Sequence, residues 1–244
     1  MEKIFGIISY NGTNYQGWQT QVDGNTIQDE LESVLSRLLN GPIKVYGSGR
    51  TDAGVHALGQ TFHFVPNKEI KDLKLFLHSI NCLLPKDIKV LSLKEKDKDF
   101  HARLSAIGKT YIYQFAINEI DVFKYPFVSL IHDPFDMEKF IECLDLFKGE
   151  HCFKNFTSKE EDECEYIRTI QDISLSKHED FYEVTLTGNG FMRYMIRFII
   201  GTAFAYAKGS TTLEKVKDQI DMKITSKTSF KAEAKGLFLK EVLY

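Results

Sequence analysis

The stretch GSGRTDAGVHALGQ, residues 47–60, lies between two runs that are typical of strands, Ile43–Tyr46 and Thr61–Val65. It contains four glycines and little apolar bulk, so it predicts a loop held open by a sheet. Glycine allows tight turns and a close approach of backbone to a ligand, which places Arg50 and Asp52 within reach of a substrate. Asp and Gly also occur in ordinary β-turns. An arginine two residues before the aspartate has no evident turn role, and it favours a functional loop.

The run GRTDAGVHA within this stretch closely resembles the signature loop of the tRNA pseudouridine synthases of the TruA family. The resemblance extends to further motifs over nearly the whole chain, and it implies that Asp52 is the catalytic nucleophile and that Arg50 helps to hold a flipped-out nucleotide. It implies an isomerase, an intramolecular transferase that converts uridine to pseudouridine at positions 38–40 in the anticodon stem-loop of tRNA. The reaction exchanges the C1′–N1 bond for a bond through C5 without net redox change, so no cofactor is expected. Attack of Asp52 on the sugar, attack on the base and proton abstraction all stay open.

The segment FHARLSAIGKTYIY, residues 100–113, contains a strand-like run with two tyrosines. Tyr111 and Tyr113 are expected to point to the same face, because side chains two apart on a strand do so. Core packing is our interpretation of Tyr113. For Tyr111 the family resemblance implies stacking on the target uracil, a task that suits a planar ring because stacking contributes about 1–3 kcal/mol per base.

The segment GNGFMRYMIRFIIGT, residues 188–202, predicts an apolar helix that begins at Phe191. Residues four apart share a helix face, so Arg193 and Arg197 are expected to project together. A buried cation needs a carboxylate partner, and the resemblance implies that Arg197 pairs with Asp52. The alternative is that both arginines extend to solvent, and Arg193 falls where the family is variable.

Three shorter motifs complete the resemblance. The ending AKGLFLKEVLY implies that Leu237 lines the uracil pocket and that the remainder is a strand. The run GEHCFKNFT resembles a family loop, but Cys152 replaces the usual aspartate, so no role is assigned to it; His151 either contacts RNA or caps a turn. The run YNGTNYQGWQ is either a hairpin turn anchored by Trp18 or part of the active-site rim.

Composition indicates a globular chain of 244 residues, with 43% hydrophobic residues, that can bury one large core or two moderate ones. The net charge of −3 is unusual for an RNA-binding protein, because Lys and Arg supply much of the affinity for phosphates. The charges would have to be segregated, with acidic runs at Lys94–Asp99 and Glu160–Glu165. The motifs above carry the opposite charge, in Arg50, Arg103, Lys109, Arg168, Arg193 and Arg197.

Four cysteines, at positions 82, 143, 152 and 164, form no paired spacing, which is typical of reduced thiols in a cytoplasmic protein. A metal site built from His151, Cys152 and Cys164 lacks support for the same reason. The N-terminus has no signal-peptide pattern. The most apolar window, Phe191–Ala207, is short and carries two arginines, so it predicts a buried helix and no membrane span. We therefore expect a cytoplasmic protein.

The order of elements predicts an α+β fold. In the first half, a strand at Lys3–Tyr10 is followed by a helix that Asn25 or Thr26 can cap and that runs through Leu39. The two strands around the loop, a helix at Asp72–Leu83 and a strand at Ile88–Leu93 complete the order β-α-β-β-α-β, which is ferredoxin-like. A long strand at Thr110–Ile117 closes this half. We expect two ferredoxin-like or RRM-like subdomains, residues 1–118 with the catalytic loop 47–60 and residues 119–244 with the Arg193/Arg197 helix. They would share an extended antiparallel sheet with a central active-site cleft.

The predicted elements of the second half are listed in chain order: a helix at Met137–Phe147, strands at Thr169–Ser176 and Tyr182–Thr187, the apolar helix, a polar helix at Leu213–Met222 and a last strand at Leu237–Leu243.

Two other classes of protein stay in view. A non-catalytic RNA-binding module would use similar sheets and aromatic residues without needing an aspartate paired to an arginine. A metal-dependent nuclease or phosphatase could use Asp52 with His56, although no second carboxylate stands near that loop in the sequence. The expected partner is tRNA, and a homodimer is implied by the resemblance alone.

Overall fold

The computed structural model describes residues 2–22, 24–158 and 166–244, so the acidic run Glu160–Glu165, which includes Cys164, lies outside the described residues. Within these ranges, ten strands and five helices give the mixed α/β fold that the sequence predicts. The strands are β1 Lys3–Tyr10, β2 Val45–Gly47, β3 His56–Phe64, β4 Ile88–Lys96, β5 Gly108–Ile117, β6 Ser129–Ile131, β7 Gly149–Cys152, β8 Ile167–Lys177, β9 Tyr182–Gly188 and β10 Leu237–Leu243. The helices are α1 Ile27–Leu39, α2 Leu73–Leu83, α3 Met137–Asp145, α4 Met195–Ala207 and α5 Leu213–Ile220.

Two compact units divide the chain: Met1–Ile107 with Phe238–Tyr244, and Gly108–Leu237. This division differs from the expected boundary after residue 118. The long strand β5 belongs to the second unit because it pairs along its length with β9. The last strand returns to the first unit, where Phe238 and Leu239 pair in parallel with His56 and Ala57.

The first unit has the predicted β-α-β-β-α-β order. Strand β1 pairs antiparallel with both β3 and β4, and β2 pairs antiparallel with β3. Helix α1 begins where expected, because the Thr26 side chain accepts a hydrogen bond from the Asp29 N–H, and Asp72 caps α2 in the same way. The apolar face of α1 and the inward face of the sheet form the core, which includes Ile8, Leu31, Leu35, Phe62 and Phe64.

The loop between β2 and β3 is shorter than the sequence predicts. Strand β3 begins at His56 and not at Thr61, so only residues 48–55 connect it to β2. The glycine and polar content of 56–60 masked a strand whose pairing with β1 continues to Ala57. Tertiary pairing has overridden the local composition here.

The second unit has the antiparallel strand order β5-β9-β8-β7, with β6 parallel to β5. Strand β7 was expected to be a loop, but its four residues pair with Ile167–Ile170 of β8. An aromatic cluster fills the core between β5 and the two helices α3 and α4. In this cluster the ring of Phe140 stacks on Phe204 at 4.4 Å, and Phe115 meets Phe204 edge-on at 5.0 Å.

Helix α4 begins at Met195, four residues later than predicted. Tyr194, directly before it, has the left-handed backbone angles φ 60° and ψ 1°, which a continuing right-handed helix does not allow. Arg193 therefore precedes the helix and shares no helical face with Arg197. None of the helices in the described ranges has both the length and the apolar character that a bilayer-spanning segment requires.

Candidate active site

The loop that carries Arg50 and Asp52 contacts two aromatic residues, Tyr10 and Trp18. Trp18 is 1% exposed and lies so close to Gly47 that an added Cβ there would come within 2.5 Å of the indole Nε1. The backbone N–H of Trp18 donates to the Thr51 carbonyl oxygen at 3.1 Å. The single tryptophan thus acts as a buried anchor for the start and the middle of the loop, and its place at the active-site rim stays a prediction.

Buried hydrogen bonds fix the loop from beneath. The hydroxyls of Tyr10 and Thr51 are 2.8 Å apart, and burial raises the pKa of Tyr10 well above its ordinary value, so this phenol stays protonated. Ser48 Oγ donates to Gln60 Oε1 at 2.7 Å, and Gln60 Nε2 donates to the Gly49 carbonyl at 3.0 Å. Neither Tyr10 nor Gln60 was identified from the sequence, because nothing in their local pattern distinguishes them from ordinary strand residues.

Asp52 stands at the start of a tight turn. The Val55 N–H donates to the Asp52 carbonyl oxygen at 3.1 Å, and Gly54 has a positive φ of 76°. The turn interpretation of Asp-Ala-Gly therefore holds for the backbone. Thr51 is buried, Asp52 is partly buried and Arg50 is exposed. The loop thus places a carboxylate at the boundary between the core and the solvent.

His56 has a structural role in the first unit. Its Nδ1 accepts the N–H of Gly12 at 3.0 Å, so the proton of the neutral ring lies on Nε2. The ring is 1% exposed and stacks on Phe238 at 4.6 Å. In the described part of the chain no group of three or more His, Cys, Asp or Glu side chains could hold a metal ion.

Strand β5 carries the two tyrosines in the second unit. Tyr111 is 7% exposed, and its ring meets Phe191 edge-on at 5.3 Å. Tyr113 is 1% exposed, and its hydroxyl lies 2.7 Å from Ser129 Oγ. Ser129 Oγ also donates to a carboxylate oxygen of Glu233 at 3.2 Å. Tyr113 therefore serves packing and a buried polar network, as expected.

Arg197 lies in the first turn of α4 and is held by one neighbouring segment. Its Nε donates to the Ala232 carbonyl at 2.8 Å, while the Ala232 N–H donates to the Arg197 carbonyl at 2.9 Å. The guanidinium carbon lies 5.3 Å from the centre of the Tyr194 ring. Tyr194 and Ala232 were not identified from the sequence, since Ala232 acts only through its backbone and Tyr194 acts through an unexpected backbone conformation.

The last predicted site residue, Leu237, begins β10 and is 5% exposed. Its N–H donates to the Ala234 carbonyl at 2.9 Å. Arg50 and Asp52 thus belong to the first unit, whereas Tyr111, Arg197 and Leu237 belong to the second.

The GEHC motif supports turn capping by its histidine. The His151 Nε2 lies 2.8 Å from the Lys148 carbonyl, across the turn at Gly149, whose φ is 100°. Cys152 ends strand β7 and is partly buried.

Cys143 lies in helix α3. Burial raises the pKa of the Cys143 thiol to about 12, so that thiol is protonated and inert at neutral pH.

Comparison with known proteins identifies the family. The family model described as tRNA pseudouridine synthase matches residues 7–104 and 144–244. A tRNA pseudouridine synthase A from Phytoplasma mali is 37% identical, with 98% of this chain and 97% of the relative covered. Relatives of the same name from Hydrogenobaculum sp. and Geobacillus sp. are 38% and 36% identical, over 97% and 100% of this chain and 97% and 98% of their own lengths. The chain belongs to the tRNA pseudouridine synthase family.

Proposed function

We propose that this protein isomerises uridine to pseudouridine in the anticodon stem-loop of tRNA, at positions 38–40, and needs no cofactor. The observation that carries the proposal is the family match over both units together with the loop that presents Asp52. The matched segments include the loop, strand β10 and helix α4. Tyr10 and Trp18 hold the loop through hydrogen bonds to Thr51.

The reaction requires one ionised carboxylate, and we assign this task to Asp52. The C1′–N1 bond breaks and a C1′–C5 bond forms, while the C5 hydrogen leaves as a proton and N1 gains one, so atoms and electrons balance without an external oxidant. Asp52 acts as the nucleophile or base that starts this exchange. Its partly buried position supports the assignment, because a carboxylate there is reachable by substrate yet only partly solvated.

Arg197 is proposed as the cation that keeps Asp52 ionised in the complex with tRNA. A positive charge within about 4–6 Å typically lowers a carboxyl pKa by about 1–3 units. The two hydrogen bonds between Arg197 and Ala232 support this role, because they hold the arginine in a defined position.

Three further residues are proposed to bind the target nucleotide. Tyr111 stacks on the uracil, Leu237 lines its pocket, and Arg50 holds the extruded nucleotide. Extrusion costs a few kcal/mol, which stacking of about 1–3 kcal/mol and charge-assisted contacts can offset. The burial of Tyr111 and Leu237 and the exposure of Arg50 are compatible with these roles.

The experiment that tests this function is a map of pseudouridine in tRNA from cells with and without the gene. We expect pseudouridine at positions 38–40 to disappear on deletion and to return with the wild-type gene. Unchanged modification at these positions would reject the function. The family resemblance also leads us to propose a cytoplasmic homodimer, which light scattering on the purified protein and fractionation of cells would test.

A further inference from the structure

Three cations gather around one aromatic ring in the second unit. The guanidinium carbons of Arg193 and Arg197 lie 4.9 and 5.3 Å from the centre of the Tyr194 ring, and Lys231 Nζ lies 4.5 Å from it. Each contact is within the range of a cation–π interaction.

The cation cluster holds three positive charges within a small area of the second unit. Because all three cations lie within 5.3 Å of one point, no two of them are separated by more than twice that distance. The screening length at physiological salt is about 8 Å, so charges this close are only partly screened and the cations repel one another. Among the described residues of the second unit, no carboxylate forms an ion pair with Arg193 or Lys231, and the nearby Glu233 pairs with Lys235 at 3.6 Å.

Two hydrogen bonds hold the backbone of the cluster at Arg193. The Arg193 carbonyl accepts from Thr157 Oγ1 at 3.0 Å and from the Ser158 N–H at 3.4 Å. Arg193 Nη2 donates to the Tyr194 hydroxyl oxygen at 3.2 Å, so the phenol accepts there and its own proton remains available as a donor. The cluster thus offers a guanidinium, an ammonium and a hydroxyl donor from one small area.

We propose that Arg193, Tyr194 and Lys231 bind a phosphate of the tRNA backbone. This inference rests on the proposed function and names the part of the substrate that the cluster recognises. A guanidinium binds phosphate oxygens in a bidentate manner, and an ammonium adds a point charge. The site matters in this chain because the net charge is −3, so attraction to RNA has to come from local concentrations of cations. A phosphate contact sets the position of the RNA and reads no base.

The test is the salt dependence of tRNA binding. The double variant Arg193→Gln, Lys231→Gln keeps polar side chains on the surface and removes both charges. We expect the slope of log K against log salt concentration to become shallower by about 0.7–0.9 for one lost phosphate contact. In turnover measurements KM should rise while kcat at saturating tRNA stays at the wild-type value, because neither residue touches the reacting atoms.

The matched control removes two other cations from the same unit. Lys139 and Lys148 each pair with an aspartate on the surface, and Lys139→Gln, Lys148→Gln changes the net charge by the same amount. We expect its salt slope to equal that of the wild type. An unchanged slope in the Arg193/Lys231 variant, or an equal change in the control, would overturn the inference. A wild-type protein that binds tRNA without modifying it would reject the proposed function alone.

Discussion

Arg197 and Ala232 exchange two hydrogen bonds, one from the arginine side chain and one to its backbone carbonyl. The segment that contains Ala232 also lies directly against α4, because a Cβ added at Gly201 would come within 2.6 Å of the Phe230 carbonyl oxygen. The arginine is therefore positioned by backbone groups, whose geometry does not depend on side-chain rotamers. This arrangement allows its charge to be tested apart from its place in the fold.

We expect Arg197→Met to keep the fold and to lose roughly 100-fold or more in kcat, the scale seen when one preorganised electrostatic group is removed. The methionine side chain has a similar length and suits an apolar helix, whereas Asp52 would lose its proposed partner. The measurements are single-turnover kinetics and thermal unfolding. Lys139→Met, which removes a surface cation of the same unit, serves as the control, with kcat unchanged. Wild-type turnover by Arg197→Met would reject the ion pair.

Tyr111 is expected to act through its ring. Tyr111→Phe should keep tRNA binding and part of the activity, because the ring and its edge contact with Phe191 remain. Tyr111→Ala should lose stacking of about 1–3 kcal/mol and fail in catalysis. Titrations with tRNA and rate measurements on both variants distinguish the cases. An equal loss of activity in both would assign the function to the hydroxyl.

The contact between Gly47 and Trp18 gives a prediction about stability. Gly47→Ala would push a methyl group against Trp18, which is fully buried, and overpacking of this kind costs about 1–3 kcal/mol. Urea unfolding measures the loss of free energy. At Gly190 the nearest atom to an added Cβ is 3.7 Å away, in the Arg168 side chain, so Gly190→Ala is the control and should change stability by less than about 0.5 kcal/mol. Equal stability of the two variants would show that the loop tolerates displacement of Trp18.

His63 gives a prediction about pH. Burial lowers the pKa of this imidazole to about 4, with smaller contributions from the charges of His101 and Lys3. Between pH 6.5 and pH 4, His63 is protonated in the unfolded chain and neutral in the folded chain. The free energy of unfolding therefore falls as the pH falls through this window. The neutral ring is needed because its Nδ1 accepts the Ala102 N–H at 3.1 Å.

The control for this prediction is His63→Asn, whose amide oxygen can accept the same N–H. The variant should be less stable at neutral pH, and its free energy of unfolding should depend less on pH between 6.5 and 4. Chemical denaturation at a series of pH values measures both. Identical pH dependence in the two proteins would mean that His63 takes up its proton over the same pH range in the folded and unfolded chains, which would contradict the lowered pKa.

Much of the fold follows from local sequence signals. The apolar spacing of α1 and the caps at Thr26 and Asp72 give both helices of the first unit, and the element order gives its topology. Strands β6 and β7 were missed because three or four residues show no periodicity, and they exist only through pairing with β5 and β8. The return of β10 to the first unit is likewise a long-range pairing that no local pattern encodes.

The candidate site shows the same limit. Motif resemblance leads to Asp52, Tyr111 and Arg197, but the interpretation of Arg193 depended on a helix that in fact begins after Tyr194. A positive φ at a tyrosine is a tertiary effect, and an apolar run with helical spacing gives no sign of it. The cation cluster around Tyr194 was therefore not visible from the sequence.

The most direct test of the proposed chemistry follows the C5 hydrogen. Uridine and pseudouridine are isomers with equal mass, but C5 loses its hydrogen when it becomes the point of attachment to the sugar. The wild-type protein, given tRNA with tritium at C5 of uridine, should release tritium to water without added cofactor and in the presence of EDTA. Asp52→Asn, which keeps size and hydrogen bonding but removes the charge, should bind the same tRNA and release none. Release that stops with EDTA, or release by Asp52→Asn at the wild-type rate, would contradict the mechanism.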